Sequence, residues 1–191
     1  MSPLNIEQGS SSHSAYDLRS HLSDVVESHT LAILVENEPG VLARVIGLFS
    51  GRGYNIDSLT VAKTDDESLS RITLTTHGDQ RVLEQITKQV NKLVDVLKVR
   101  ELTEHAHVER EIALIKILAE DHGQREEVKR STDIFRGQIV DVSSKIYTVQ
   151  LLGTSEKVDA FVEIMRDGAT ILETVRSGVV GIGRGEKALK P

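Results

Sequence analysis

The pattern of apolar runs and breaks in the first half of this 191-residue chain recurs in the second half, and that repeat constrains the fold most strongly. Leu31–Glu36 is a short apolar run of the kind that forms a buried strand. Asn37-Glu38-Pro39-Gly40 breaks it, and Pro39 suits the first position of a helix, where a missing N–H costs nothing. Val41, Leu42, Val45, Ile46, Leu48 and Phe49 then follow at helical spacing, with Gly51 and Gly53 ending the helix. Tyr54–Val61 turns extended, Thr64–Glu67 reads as a turn, and Leu69–Thr76 has a β-rich composition. Gly78-Asp79 opens a second helix with Val82, Leu83, Ile86, Val90 and Leu93 on one face, and Val94–Leu102 is a strand. The order is β-α-β-β-α-β.

Beyond Thr103–His107 the order returns. Glu111–Leu118 is a strand, and Gln124–Arg136 a helix with Val128 and Phe135 inward, closed by Gly137. Gln138–Val142 and Lys145–Leu152 form a hairpin across Ser143-Ser144. Thr154 caps a helix bearing Val158, Phe161, Val162 and Met165, Gly168 closes it, and Ala169–Val180 is the last strand. The fold class is therefore α+β: two ferredoxin-like βαββαβ units in tandem, each an antiparallel four-stranded sheet with two helices on one face. The units span residues 29–103 and 108–185, with 186–191 as a tail. One face of each sheet lacks helices yet carries apolar residues, which predicts self-association, most simply as a homodimer.

Residues 1–28 are Ser- and His-rich, with Arg19 set against Glu7, Asp17, Asp24 and Glu27. That pattern is neither a secretory signal nor an Arg-rich transit peptide, and it reads as a disordered extension on a cytoplasmic protein. The formal net charge of −6 speaks against nucleic acid and against an anionic membrane surface as partners. No apolar run reaches the ~18 residues of a membrane span. With no cysteine there is no disulfide, thiolate nucleophile or Cys-type zinc site. Only 3% of residues are aromatic, so the core must be built from Val, Ile and Leu.

Catalytic signatures are sparse. Gly178–Lys187 resembles a phosphate loop superficially, but it lacks Gly-Lys-Ser/Thr and does not lead from a strand into a helix, so it reads as a glycine-rich flexible end. His105 and His107 lie beside Glu104 and Glu109 without a third convergent ligand, and read as a solvated linker between units. No Gly-x-Ser-x-Gly is present. The informative pieces are Asn37–Leu42 and Gly53–Ile56. Gly40 sits in the opening turn of a helix, where free amides and a partial positive charge accept a carboxylate. Asn37 and Asn55 offer side-chain donors and acceptors suited to an α-amino and α-carboxylate group, and Val41, Leu42 and Ile56 offer an aliphatic wall. Together they describe a site for a small apolar amino acid. A capped helix start and a turn explain Pro39, Gly40 and Gly53 equally well without a ligand.

Leu34–Val61 resembles the ACT domain of the small, regulatory subunit of acetolactate (acetohydroxyacid) synthase. The likeness continues through Asp79–Val99, His107–Glu111, Val128–Arg130, Ile134–Ile139 and Ser177–Gly181, and so covers most of Thr30–Lys190. The Arg-Gly-Tyr-Asn-Ile-Asp and Phe-Arg-Gly-Gln-Ile segments carry it most specifically. The resemblance implies a non-catalytic subunit that binds and activates the thiamine-diphosphate-dependent catalytic subunit and confers feedback inhibition by valine. It also implies ACT domains paired into an eight-stranded sheet across a dimer, with valine at the interface. The valine carboxylate would meet the amides of Gly40, Val41 and Leu42, with Asn37 from one protomer and Asn55 and Ile56 from the other. Thiamine diphosphate, FAD and Mg²⁺ would belong to the catalytic partner, none to this chain.

Three other readings share parts of the pattern. An RNA-recognition module has the same element order but stacks bases on aromatics, and strands 31–36 and 69–76 have none. A small enzyme would need a nucleophile–base pair that the sequence does not show. An ACT-domain amino-acid sensor for a different enzyme would differ in partner and keep the same site.

Overall fold

The computed structural model describes residues 27–191, so the extension expected over residues 1–28 lies outside the described residues except for Glu27 and Ser28. Both of these belong to the first strand, β1 (Glu27–Glu36). There follow α1 (Val41–Ser50), β2 (Ser58–Lys63), β3 (Leu69–Gly78), α2 (Gln80–Val90) and β4 (Val96–Glu101). The second half contains β5 (His107–Leu118), α3 (His122–Ile134), β6 (Gln138–Val142), β7 (Ile146–Gly153), α4 (Ser155–Gly168), β8 (Thr170–Arg176) and β9 (Val180–Gly183). The first sheet runs β2-β3-β1-β4 and the second β6-β7-β5-β8, all antiparallel. This is the expected tandem βαββαβ order, with β9 added.

Strand alternation sets each core. Leu31, Ile33 and Val35 of β1 pair in register with β3, which contributes Ile72 and Leu74, and all five pack on Val41, Val45 and Phe49 of α1 and Leu83, Ile86 and Val90 of α2. In the second unit Ala113, Ile115 and Ile117 join Tyr147, Val149 and Leu151 beneath Val128, Val158, Phe161 and Met165. Phe135 meets Phe161 edge-on with ring centroids 5.4 Å apart, a favoured aromatic geometry. Three helix starts are capped by side chains: Asp79 accepts from Val82 N, Asp121 from Gln124 N and Thr154 from Lys157 N. No helix among the described residues is long and apolar enough to cross a membrane.

The end of the chain differs from expectation. The strand expected over Ala169–Val180 is two strands, divided at Ser177–Val179 where Gly178 takes φ 80°. β9 pairs with His107–Arg110, so β5 starts four residues before the expected Glu111 and changes partner along its length. Within the glycine-rich segment Val180–Gly183 is thus a strand and not part of a flexible end. Its glycines allow close packing: a Cβ on Gly181 would lie 2.6 Å from Leu102 Cδ1, and the Gly181 carbonyl accepts from Arg71 Nη2 at 2.6 Å.

β9 and Ser177–Val179 lie against the helix-free face of the first sheet, where Thr60 Oγ1 donates to the Ser177 carbonyl and Val179 N donates to Ser58 Oγ. Residues of that face on β1 and β3 (Thr30, Ala32, Leu34, Thr73 and Thr75) are buried. Among the described residues the expected bare face is therefore found on the second sheet alone. There Ile112 pairs with Leu152 and Leu114 with Val175, all four exposed.

Candidate functional site

The break after β1 is a tight turn. Val41 N reaches the Glu38 carbonyl at 3.4 Å, and Gly40 takes φ 86°, ψ −10°, the third position of a type II turn with Pro39 in the second. Pro39 thus shapes the turn rather than opening the helix, because a helix-opening proline would leave no room for the left-handed Gly40. Gly40 is the N-cap residue of α1 and has no side-chain cap; the Val41 amide turns back onto the Glu38 carbonyl at a long 3.4 Å, and the amides after it have the free state common to helix starts. The Gly40 carbonyl accepts the first helical bond, from Arg44 N at 3.0 Å.

The six expected residues are not equivalent. Val41 turns its side chain into the core, and its amide, the one group it could offer a ligand, already leans on the Glu38 carbonyl at 3.4 Å, whereas Leu42 is 37% exposed. Ile56 is half-buried against the first core. Asn37 is tied to the β2–β3 turn: Nδ2 donates to the Glu67 carbonyl at 2.9 Å, and Oδ1 accepts from Ser70 Oγ at 3.0 Å. That turn is itself braced, since the Ser68 hydroxyl and amide both donate to Asp66 and hold its carboxyl below the usual range. Asn55 lies at the other end of the same strands, where its carbonyl accepts from Thr76 Oγ1 at 2.6 Å.

Asn37 is thus anchored at Ser70 and Asn55 at Thr76, which at about 3.3 Å per residue along β3 separates them by about 20 Å. One chain does not bring both asparagines to one small ligand. Gly40, Val41 and Leu42 share Asn37's end of the sheet; Asn55 and Ile56 share the other. β2, between those ends, is an edge strand.

His105 and His107 do not converge. Nδ1 of His105 faces the Glu104 carbonyl, Nδ1 of His107 faces the His105 carbonyl, and His107 is the first residue of β5 rather than part of a linker.

Two family models match this geometry's two halves: an "AHAS small subunit-like ACT domain" over residues 31–98 and "Small subunit of acetolactate synthase" over 110–185. The acetolactate synthase isozyme 3 small subunit of Salmonella typhimurium is 64% identical over 160 residues, covering 84% of this chain and 98% of that one. The chain belongs to the acetolactate synthase small-subunit family. The Haemophilus influenzae acetolactate synthase small subunit is 57% identical over 157 residues, covering 82% and 96% of the two chains. The crystal structure of the acetolactate synthase small subunit from Thermotoga maritima superposes with a TM-score of 0.74 at 38% identity, covering 84% of this chain and 99% of that one.

In this small-subunit chain Arg44 joins the site without having been singled out by sequence. Its Nε donates to Asp95 Oδ2 at 2.7 Å, and its Nη1 lies 3.1 Å from where a Gly40 Cβ would be. Its charge is paired with Asp95, but the bond uses Nε alone, so the Nη groups beside the helix start can still donate to a carboxylate. The available signal was its position one helical turn after Gly40; its partner Asp95, in the turn just before β4, is remote in sequence.

Proposed function

We propose that this chain is the regulatory subunit that binds the thiamine-diphosphate-dependent catalytic subunit of acetolactate synthase, raises its activity and carries feedback inhibition by valine. Membership of the small-subunit family supports a regulatory role beside a catalytic partner in branched-chain amino acid biosynthesis. The observation that carries the effector part is the separation of Asn37 and Asn55 at opposite ends of β2 and β3. A two-fold axis through the free β2 edge pairs β2 with its copy antiparallel and sets the Asn37 end of one protomer against the Asn55 end of the other. Each of the two seams then combines the Gly40–Leu42 amides, Leu42 and Asn37 of one chain with Asn55 and Ile56 of its partner. Valine fits such a seam: its carboxylate meets the helix start, its ammonium the asparagine oxygens, and its isopropyl group Leu42 and Ile56.

Inhibition follows if valine binds one arrangement of the ACT pair better than the other and so shifts how the pair engages the catalytic subunit, with a coupling of ~1–3 kcal/mol. Thiamine diphosphate, FAD and Mg²⁺ reside in the catalytic subunit, and the assembly is cytoplasmic. The test is reconstitution of a catalytic subunit with this chain, following acetolactate formation against valine. Addition of the chain raises the rate, and valine lowers it again. Asn37→Leu or Gly40→Val removes the valine response and leaves the activation. Unchanged inhibition in both variants counts against the site, and appreciable turnover by the lone chain counts against the regulatory role.

A further inference from the structure

Asp57 stands between two side chains that no single local motif links. Asn55 Nδ2 donates to its Oδ1 at 2.7 Å, and His77 Nδ1 donates to its Oδ2 at 2.5 Å. Both carboxylate oxygens are thereby engaged, and the Asp57 amide is anchored on β3 through the Thr75 carbonyl at 2.9 Å. His77 sits on β3 itself, so the clamp is built on paired strands and not on the loop that carries Asn55. His77 and Asp57 also line a cleft of about 640 Å³ whose far wall, from β5, α4 and β8, carries Glu109, Glu111, Glu156, Asp159 and Arg176. Arg176 bonds both Glu111 and Asp159.

An ionised carboxylate only accepts hydrogen bonds, so Asp57 fixes which way the Asn55 amide points. The NH₂ group must face Asp57, and the carbonyl Oδ1 is left to face outward. We propose that Asp57, clamped by His77, is the positioning residue that presents Asn55 as an acceptor and so makes the effector site select an α-ammonium over an α-hydroxyl or α-keto group. This rests on the effector reading above. An α-ammonium must donate, so an outward oxygen rewards it; an α-keto oxygen only accepts and meets repulsion there. An α-hydroxyl donates once without charge. Released from Asp57, the Asn55 amide rotates freely and presents either end, and the preference for a charged donor falls.

The experiment titrates the full chain calorimetrically with L-valine and with L-2-hydroxy-3-methylbutanoate, which differ only in the group on Cα. The unmodified chain binds valine more tightly. Asp57→Asn can donate to Asn55 Oδ1 and turn it inward, so the valine preference falls on the order of tenfold while affinity for the hydroxy acid is nearly kept. Asp57→Glu, which keeps the acceptor, restores the preference; a purely structural role for Asp57 would weaken both ligands equally. Melting temperatures confirm that the variants are folded. If Asp57→Asn keeps the full valine preference, or lowers both affinities in parallel, the proposal is overturned while the effector site stands. If the unmodified chain binds neither compound, alone or with the catalytic subunit, the effector reading itself fails and takes this proposal with it.

Discussion

His29 is the most constrained titratable side chain of the first unit. It is 4% exposed, and its Nε2 faces the Gly78 carbonyl at 3.2 Å while Nδ1 faces Glu101 Oε1 at 2.8 Å. Burial pushes the Glu101 carboxyl up from its ordinary 4.5, against the pull of the Thr103 hydroxyl and His29. An acid whose folded-state value is raised binds its proton more tightly in the folded chain. Its stabilising contribution is therefore full below 4.5 and is lost as the pH rises through the raised value. Replacing Glu101 by Gln removes that loss. Melting scans at stepped pH should show the Glu101→Gln variant gaining on its parent as the pH rises above 4.5; a constant difference at every pH would argue against the raised value. None of this is visible in sequence, because Glu101 and His29 meet only through the β1–β4 pairing.

Elements show why some features were legible and others were not. The end of α3 is a Schellman motif, with Gly137 N donating to the Thr132 carbonyl at 2.8 Å and Arg136 N to Asp133 at 3.0 Å. The left-handed residue is Arg136, φ 53°, not the glycine after it. Gly137 is needed instead for contact with β7, since a Cβ there would lie 3.1 Å from the Gln150 carbonyl. Sequence places the helix end to within two residues but misassigns the roles, because the claim on Gly137 is tertiary. Arg136→Gly should then stabilise the chain by about 1 kcal/mol, read as a higher denaturant midpoint with unchanged slope. Strand β9 was illegible for a related reason. The two glycines of Val-Gly-Ile-Gly break the strand signal of Val180 and Ile182, and its partner His107–Arg110 is far upstream. Gly181→Ala should cost about 1–3 kcal/mol through overpacking on Leu102, and amide exchange of Val180–Gly183 should speed up first.

At the scale of the molecule the two repeats have diverged in what covers them. The first sheet buries its helix-free face under β9 and keeps β2 as a free edge; the second leaves Ile112, Leu114, Leu152 and Val175 open. Periodicity reveals the repeat because both units solve the same local packing problem. It cannot reveal the divergence, which depends on contacts between units such as Arg71 with Gly181. The candidate site was half legible in the same sense. The broken segment at Asn37–Leu42 and the turn at Asn55 stand out in sequence, but their separation by the length of β3 appears only in three dimensions. That separation makes the central claim testable by complementation. Asn37→Ala and Asn55→Ala chains are each titrated with valine, then unfolded together, refolded as a mixture and titrated again. A site shared between two chains predicts no tight binding by either variant alone and recovered binding in the mixture, at one intact site per mixed dimer. A mixture that binds valine no better than its two parents would contradict it.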